Sequence, residues 1–265
     1  MSNLNYLEIN KKTWNEKTEV HVTSEFYANE DFLNGKSSLK DIELSLLGDI
    51  SGKKILHLQC HFGQDTLSFA RMGAHATGAD LSDKAIAKAR EFSTLLNLDA
   101  DFICCDIYDL PNHLKDRFDI VFTSYGTIGW LPDLNKWAKV VSHFLKPQGK
   151  FVFVEFHPVV WMFDNDFKEV NYNYFNAAPI IEEETGTYAD KKASIETKTI
   201  TWNHPTSEVL NTLIQNGLEI NSFDEYDYSP YNCFNKTEEF EKGKFRIKHL
   251  ENKIPMVFSL TATKK

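Results

Sequence analysis

The stretch Lys54-Ile-Leu-His-Leu-Gln-Cys-His-Phe-Gly63, followed closely by Thr77-Gly-Ala-Asp-Leu-Ser82, decides how this chain folds. An apolar strand runs into a turn and a helix, and a second short strand ends in an acid, which is how an α/β fold builds a nucleoside pocket. Further along, Phe102-Ile-Cys-Cys-Asp106 ends a third strand in an acid, and Phe118 to Ser124 reads as a buried fourth strand opening into a polar and aromatic loop. Leu145-Lys-Pro-Gln-Gly149 reads as a helix exit and turn before a fifth strand, Phe151 to Glu155. Helical spacing of Ile86, Ala89, Phe92 and Leu96, and of Leu134, Trp137, Val141 and Phe144, fills the gaps between strands. A helix start over Thr66 to Arg71 follows the Gly63 turn with Asp65 as its expected N-cap, and Ser82 is the expected N-cap of the helix that carries Ile86 to Leu96. Strand-helix alternation of this kind predicts a parallel sheet covered by helices on both faces.

The missing glycines narrow the ligand. In a dinucleotide fingerprint the middle glycine lets backbone approach a pyrophosphate and the last lets helix pack on strand. Here Gln59 and His61 occupy the first two glycine positions and only Gly63 remains. A side chain at His61 crowds a pyrophosphate, which argues against a dinucleotide oxidoreductase and leaves a nucleoside without phosphates. S-adenosylmethionine is such a nucleoside. Asp80 stands where a carboxylate accepts both ribose hydroxyls, and Asp106 where one accepts from the adenine amino group.

This ordered set resembles the class I S-adenosylmethionine-dependent methyltransferases, well over Gly52 to Pro158 and more loosely over Ser207 to Thr263. Ile55 to Gly63 matches the family's first motif, Asp80 its ribose acid, Asp106 and Ile107 its adenine-side pair, and Asp119 to Ser124 its fourth-strand motif. The resemblance implies a Rossmann-like, doubly wound, mostly parallel seven-stranded sheet with an antiparallel last strand, plus an N-terminal arm and a lid insertion. It also implies a cofactor site at Gln59, Cys60, His61, Gly63, Asp80, Leu81, Ser82, Asp106, Ile107, Ser124 and Tyr125. The family's first strand carries an acid at the position of His57, and its loss leaves the cofactor ammonium to backbone carbonyls near Gln59 and Ser124 or to the Gln59 amide oxygen. The run Leu-Gln-Cys-His-x-Gly is a recurring variant in one subgroup of these enzymes.

A chain of 265 residues, 42% hydrophobic, suffices for one well-buried domain with insertions. We divide it into an N-terminal arm (1–50), a cofactor-binding core (51–158), a substrate-lid insertion (159–205) and the C-terminal part of the sheet (206–265). A net charge of −9 disfavours nucleic acid, whose phosphates demand clustered Lys and Arg. No apolar run reaches the roughly eighteen residues of a membrane span, and the opening Met1-Ser-Asn-Leu-Asn lacks a basic-then-apolar leader, so a cytoplasmic protein is expected. Cys60, Cys104, Cys105 and Cys233 have no paired spacing and are expected to be reduced thiols.

Within the arm, Ser38 to Leu47 has helical apolar spacing, and Trp14 and Tyr27 are candidates for capping the cofactor. The insertion is rich in aromatics, with a strand expected over Ser194 to Trp202. It is followed by a helix over Thr206 to Asn216, a strand over Leu218 to Phe223, a tyrosine-rich loop and a last strand over Met256 to Ala262. Methyl transfer from a sulfonium is an in-line displacement that needs positioning and exclusion of water more than an enzyme nucleophile. A base helps if the acceptor is a hydroxyl or amine. His157 and Tyr125 are the catalytic candidates, with Glu155 and His204 further possibilities, and Trp161, Tyr174, Trp202 and His204 are placed on the substrate. His57 and His61 lie four apart, but on a strand and turn rather than on one helix face, so no metal is expected. The two competing expectations are a small-molecule methyltransferase and a non-catalytic protein that retains the nucleoside pocket. The oligomeric state is left open.

Overall fold

The computed structural model describes residues 5–265. Residues 1–4, on which most of the leader reading falls, lie outside the described residues. The strands are β1 (Lys54–Leu58), β2 (His75–Asp80), β3 (Ala100–Cys104), β4 (Phe118–Ser124), β5 (Leu145–Phe156), β6 (Ile180–Thr185), β7 (Glu196–Thr201), β8 (Leu218–Tyr226), β9 (Thr237–Glu241), β10 (Lys244–Ile247) and β11 (Val257–Lys264). The helices are α1 (Tyr6–Thr23), α2 (Asn29–Leu33), α3 (Asp41–Leu47), α4 (Gln64–Arg71), α5 (Asp83–Leu96), α6 (Leu110–His113), α7 (Leu134–Phe144) and α8 (Thr206–Gln215).

Seven strands form one sheet in the order β3-β2-β1-β4-β5-β11-β8, parallel from β3 to β5 and antiparallel where β11 runs between β5 and β8. Connections leave β1 in opposite directions, toward β2 on one side and β4 on the other. The crevice at the carboxyl ends of β1 and β4 is therefore the ligand site of a doubly wound sheet. Burial explains the helices' places. Leu134, Trp137, Val141 and Phe144 of α7 join Val209 and Leu213 of α8 on one face, and Leu67 of α4 with Ala85, Ile86, Ala89 and Phe92 of α5 cover the other. The seven-stranded Rossmann-like architecture is the one expected from the sequence.

Four local details differ from the sequence reading. Gly63 at φ 79° is the N-cap of α4, so Asp65 lies in the helix's first turn and is not its cap. Residues 146–149 form a bulge within β5, with Gln148 at φ 61°, in place of a turn before it. The tyrosine-rich region runs on into an antiparallel hairpin, β9–β10. Most consequential, the arm contains an 18-residue helix, α1, whose buried residues are polar: Asn10, Thr13, Lys17, Thr18 and His21. Hydrogen bonds replace the apolar stripe there. The Asn10 amide exchanges two bonds with the Ile200 backbone (2.8 and 3.0 Å) and the Thr13 hydroxyl donates to the Lys198 carbonyl (2.5 Å), stitching α1 to β7 of the insertion after β5.

Candidate functional site

The loop after β1 keeps the backbone of a glycine-rich turn without its glycines. Gln59 at φ 57° and His61 at φ 51° are both left-handed, and each such residue stores strain on the order of 1–3 kcal/mol. Their side chains are turned aside: the Gln59 amide nitrogen donates to the Thr127 carbonyl (2.8 Å), and the His61 ring packs within 5.4 Å of Trp14, Tyr27 and His21. Glycine is obligatory at 63, where a Cβ would stand 2.7 Å from the Phe102 ring. Gln59 Oε1 and His61 Nε2 are enclosed without a protein partner.

Asp80 closes the loop from β2. Its Oδ2 accepts from the His61 N–H (2.8 Å) and its Oδ1 from the Ser82 N–H (2.8 Å), so each oxygen retains acceptor capacity toward the cavity it lines. Burial pushes its pKa up while these N–H groups hold it down. Asp106, after β3, accepts the Tyr108 N–H (3.1 Å) through Oδ1, and it too is shifted upward by burial. Asp109 is exposed and tied to Asn112 and His113, outside the cavity.

A second strained turn follows β4, with Tyr125 at φ 43° and Gly126 at φ 73°. Glu155 of β5 holds it: the carboxylate accepts the Gly126 N–H, the Thr127 N–H (2.7 Å) and hydroxyl (2.9 Å), the Ile128 N–H (3.2 Å) and the Phe156 N–H (2.7 Å). A carboxylate so engaged is a clamp for the turn and not a free base. The Tyr125 hydroxyl donates to Glu43 Oε2 (3.1 Å), and burial raises Glu43 to about 7.

The other expected residues divide. His157 does not line the cavity; its Nε2 meets Glu225 (2.9 Å), its Nδ1 accepts the Val159 N–H (3.2 Å), and burial lowers its pKa, which makes it a structural post in place of the expected base. Tyr174 is likewise outside, bonded to the Thr206 hydroxyl (3.1 Å), and Ser82 is the N-cap of α5. His204 lines the cavity but spends its ring on the Leu131 carbonyl (2.8 Å) and Glu208 (3.0 Å). Gln59, Cys60, His61, Gly63, Asp80, Leu81, Asp106, Ile107, Ser124, Tyr125, Trp14, Tyr27, Trp161 and Trp202 all line one cavity of about 940 Å³. That is the upper end of small-molecule sites, about 300–1,000 Å³.

Sequence reasoning missed much of the cavity's far half. Tyr231 stacks edge-on against Tyr125 (5.0 Å), Phe234 against Phe156 (5.0 Å), and the Tyr188 hydroxyl bonds the Tyr27 hydroxyl (2.5 Å). Lys17 of α1 reaches Glu184 of β6 (3.2 Å), so α1 and the insertion after β5 meet in an ion pair beside the cavity. Among the described residues no cluster of metal-ligating side chains occurs.

Known proteins share this fold. Residues 55–149 match the family model described as a methyltransferase domain. A ubiquinone biosynthesis O-methyltransferase of Chromobacterium violaceum is 30% identical over 156 residues, 56% of this chain and 62% of that protein. The chain thus spans less than two thirds of that relative's length. A solved S-adenosylmethionine-dependent methyltransferase from Mesorhizobium loti superposes with a TM-score of 0.58 at 20% identity, covering 88% of this chain and all of that one. A glycopeptide N-methyltransferase solved with S-adenosylmethionine gives 0.53 at 17% identity, covering 84% of this chain and 85% of that one. At those identities the structural likeness establishes the fold.

Proposed function

We propose that the chain, whose residues 55–149 match a methyltransferase-domain model, is a class I S-adenosylmethionine-dependent methyltransferase that transfers a methyl group from S-adenosylmethionine to a small, ring-bearing acceptor. One observation carries the reading. Asp80 ends β2 at the switch point of the sheet, tied to the left-handed loop by two N–H groups and still offering acceptor positions to the cavity. The residues fit the cofactor. A ribose diol supplies two donors for Asp80, and the enclosed, partnerless Gln59 Oε1 offers a further acceptor nearby. When bound, the cofactor supplies an electrophilic methyl on a sulfonium.

The chain's own contribution is placement. Asp80 takes the ribose hydroxyls and Asp106 the adenine side. Trp14 and Tyr27 of the arm close over the nucleoside, and Ser124 and Tyr125 define the passage to the aromatic half of the cavity. Holding acceptor and methyl in line and keeping water out contributes about 7–11 kcal/mol. The Tyr125 hydroxyl, oriented by Glu43, is set to hydrogen-bond the acceptor rather than to ionise, because burial and the adjacent Glu43 raise its pKa well above the usual value.

We take residues 159–205 as the acceptor lid, a reading supported by the β6–β7 hairpin and its Lys17–Glu184 tie to the arm. Free cysteines and the absence, among the described residues, of a helix long and apolar enough to cross a membrane support a cytoplasmic site of action. An acceptor screen with methyl-labelled cofactor over phenolic and heteroaromatic hydroxyls and amines tests the function. Labelled product from any of these classes supports it, and binding of cofactor without labelled product across the screen refutes it.

A further inference from the structure

The molecule lacks an acid on β1, where His57 is enclosed, lowered to about 3 by burial and bonded through Nδ1 to the Thr66 hydroxyl (2.9 Å). A neutral imidazole does not balance an α-ammonium group, and an unpaired buried charge is costly. The acids at the strand ends are committed: Asp80 and Asp106 to the nucleoside half, and Glu155 to the loop after β4. Glu43 serves Tyr125 and does not line the cavity.

We propose that Asp65 and Lys40 form the clamp for the zwitterionic amino-acid end of the cofactor, the Asp65 carboxylate receiving the ammonium and the Lys40 ammonium receiving the carboxylate. The assignment rests on the cofactor reading above. Asp65 lies in the first turn of α4, directly after the cofactor loop, and lines the cavity. Its Oδ1 accepts from the Ser38 hydroxyl (2.6 Å), and the Ser124 hydroxyl at the end of β4 also faces the carboxylate. Ser38 and Lys40 both belong to the segment leading into α3, so the arm delivers the cation to the acid. Lys40 lines the same cavity, acts electrostatically on Asp65 and stands 4.7 Å from the centroid of the Tyr231 ring. Among the described residues it forms no salt bridge.

One acid and one base of opposite sign, close enough to interact and backed by hydroxyls, are complementary to a free α-amino acid and to little else in a nucleoside thioether. The pair is neutral overall, so it accepts a zwitterion without leaving net charge in the cavity. It also explains how the chain dispenses with an acid at residue 57. The assignment makes the clamp a reader of the tail alone, independent of ribose and adenine.

The test is calorimetric titration of the full chain with S-adenosylhomocysteine and, in parallel, with 5′-methylthioadenosine, the nucleoside thioether without the amino-acid end. Asp65→Asn keeps the acceptor for Ser38 and loses the charge. It is expected to weaken S-adenosylhomocysteine by about 10- to 100-fold and to leave methylthioadenosine within about twofold. Lys40→Met is expected to give the same pattern with a smaller loss. Retained methylthioadenosine binding reports an intact fold. Equal losses for both ligands, or no loss for S-adenosylhomocysteine, overturn the clamp while leaving the cofactor reading in place. A wild-type protein that binds neither ligand overturns the cofactor reading and the clamp with it.

Discussion

Replacing Glu43 by Gln is expected to change how the stability of this protein depends on pH. Glu43 is fully buried on α3, one oxygen bonded by Tyr125 and the other, Oε1, without a partner. Burial raises its pKa from 4.5 to about 7. In the unfolded chain the carboxyl ionises near its ordinary value, whereas the folded protein keeps it protonated until near neutrality. Between those values the folded state binds the extra proton, so stability falls as pH rises from about 4.5 to about 7 and levels off above. At 1.36 kcal/mol per pKa unit the loss is about 3 kcal/mol. The amide of the Glu43→Gln variant keeps an acceptor for Tyr125 and has no proton to lose. Urea unfolding of both proteins at about pH 5 and about pH 8, without ligand, should therefore show the variant gaining about 2.5 kcal/mol relative to wild type on going to the higher pH, since part of the loss is already complete at pH 5. Parallel changes in the two proteins would refute the reasoning. Comparing the difference cancels Asp80 and Glu155, whose buried carboxyls also shift upward; Asp65, whose charge adds to the rise of Glu43, titrates with it as a pair.

Other substitutions separate structural from binding roles. Glu155→Gln puts an amide donor against backbone N–H groups and is expected to cost about 2–5 kcal/mol of unfolding free energy, with weaker S-adenosylhomocysteine binding as the turn at Tyr125 loosens. A loss under about 1 kcal/mol in denaturant titrations would show that the clamp is dispensable. His157→Ala should leave cofactor affinity and turnover within about twofold, since the ring faces Glu225 and not the cavity. Turnover abolished in a folded variant would return it to the mechanism.

The sheet, and which strand-end residues would share one cavity, were legible because their signals are local. β1 and β4 are largely apolar strands broken only by His57, Asp119 and Thr123, and Asp80 and Asp106 sit at strand ends beside the cavity. The loop glycines misled in one respect: Gln59 and His61 adopt the left-handed backbone that glycine would have supplied, so the loop persists while their side chains pack into the cavity wall against Thr127 and the Trp14, Tyr27 and His21 rings. What sequence pattern could not reach is the part held by polar contacts between distant segments. α1 buries Asn10, Thr13 and His21 and so carries no apolar period, although it roofs the site. Glu155 looked like a base because it ends a strand at the cavity mouth, and only the structure reveals the donors that occupy it. Asp65 looked like a helix cap because it follows the turn, whereas Gly63 takes that place and frees the carboxylate for the cavity.

The most direct test of the central claim is calorimetric titration of the wild-type chain and of Asp80→Ala with S-adenosylhomocysteine, with NAD as the parallel control. Binding of S-adenosylhomocysteine and not NAD, weakened in Asp80→Ala by about 1.5–3 kcal/mol, is the result expected of a ribose held by a charged acceptor. Equal binding of NAD, or an affinity for S-adenosylhomocysteine unchanged in the folded variant, would contradict it.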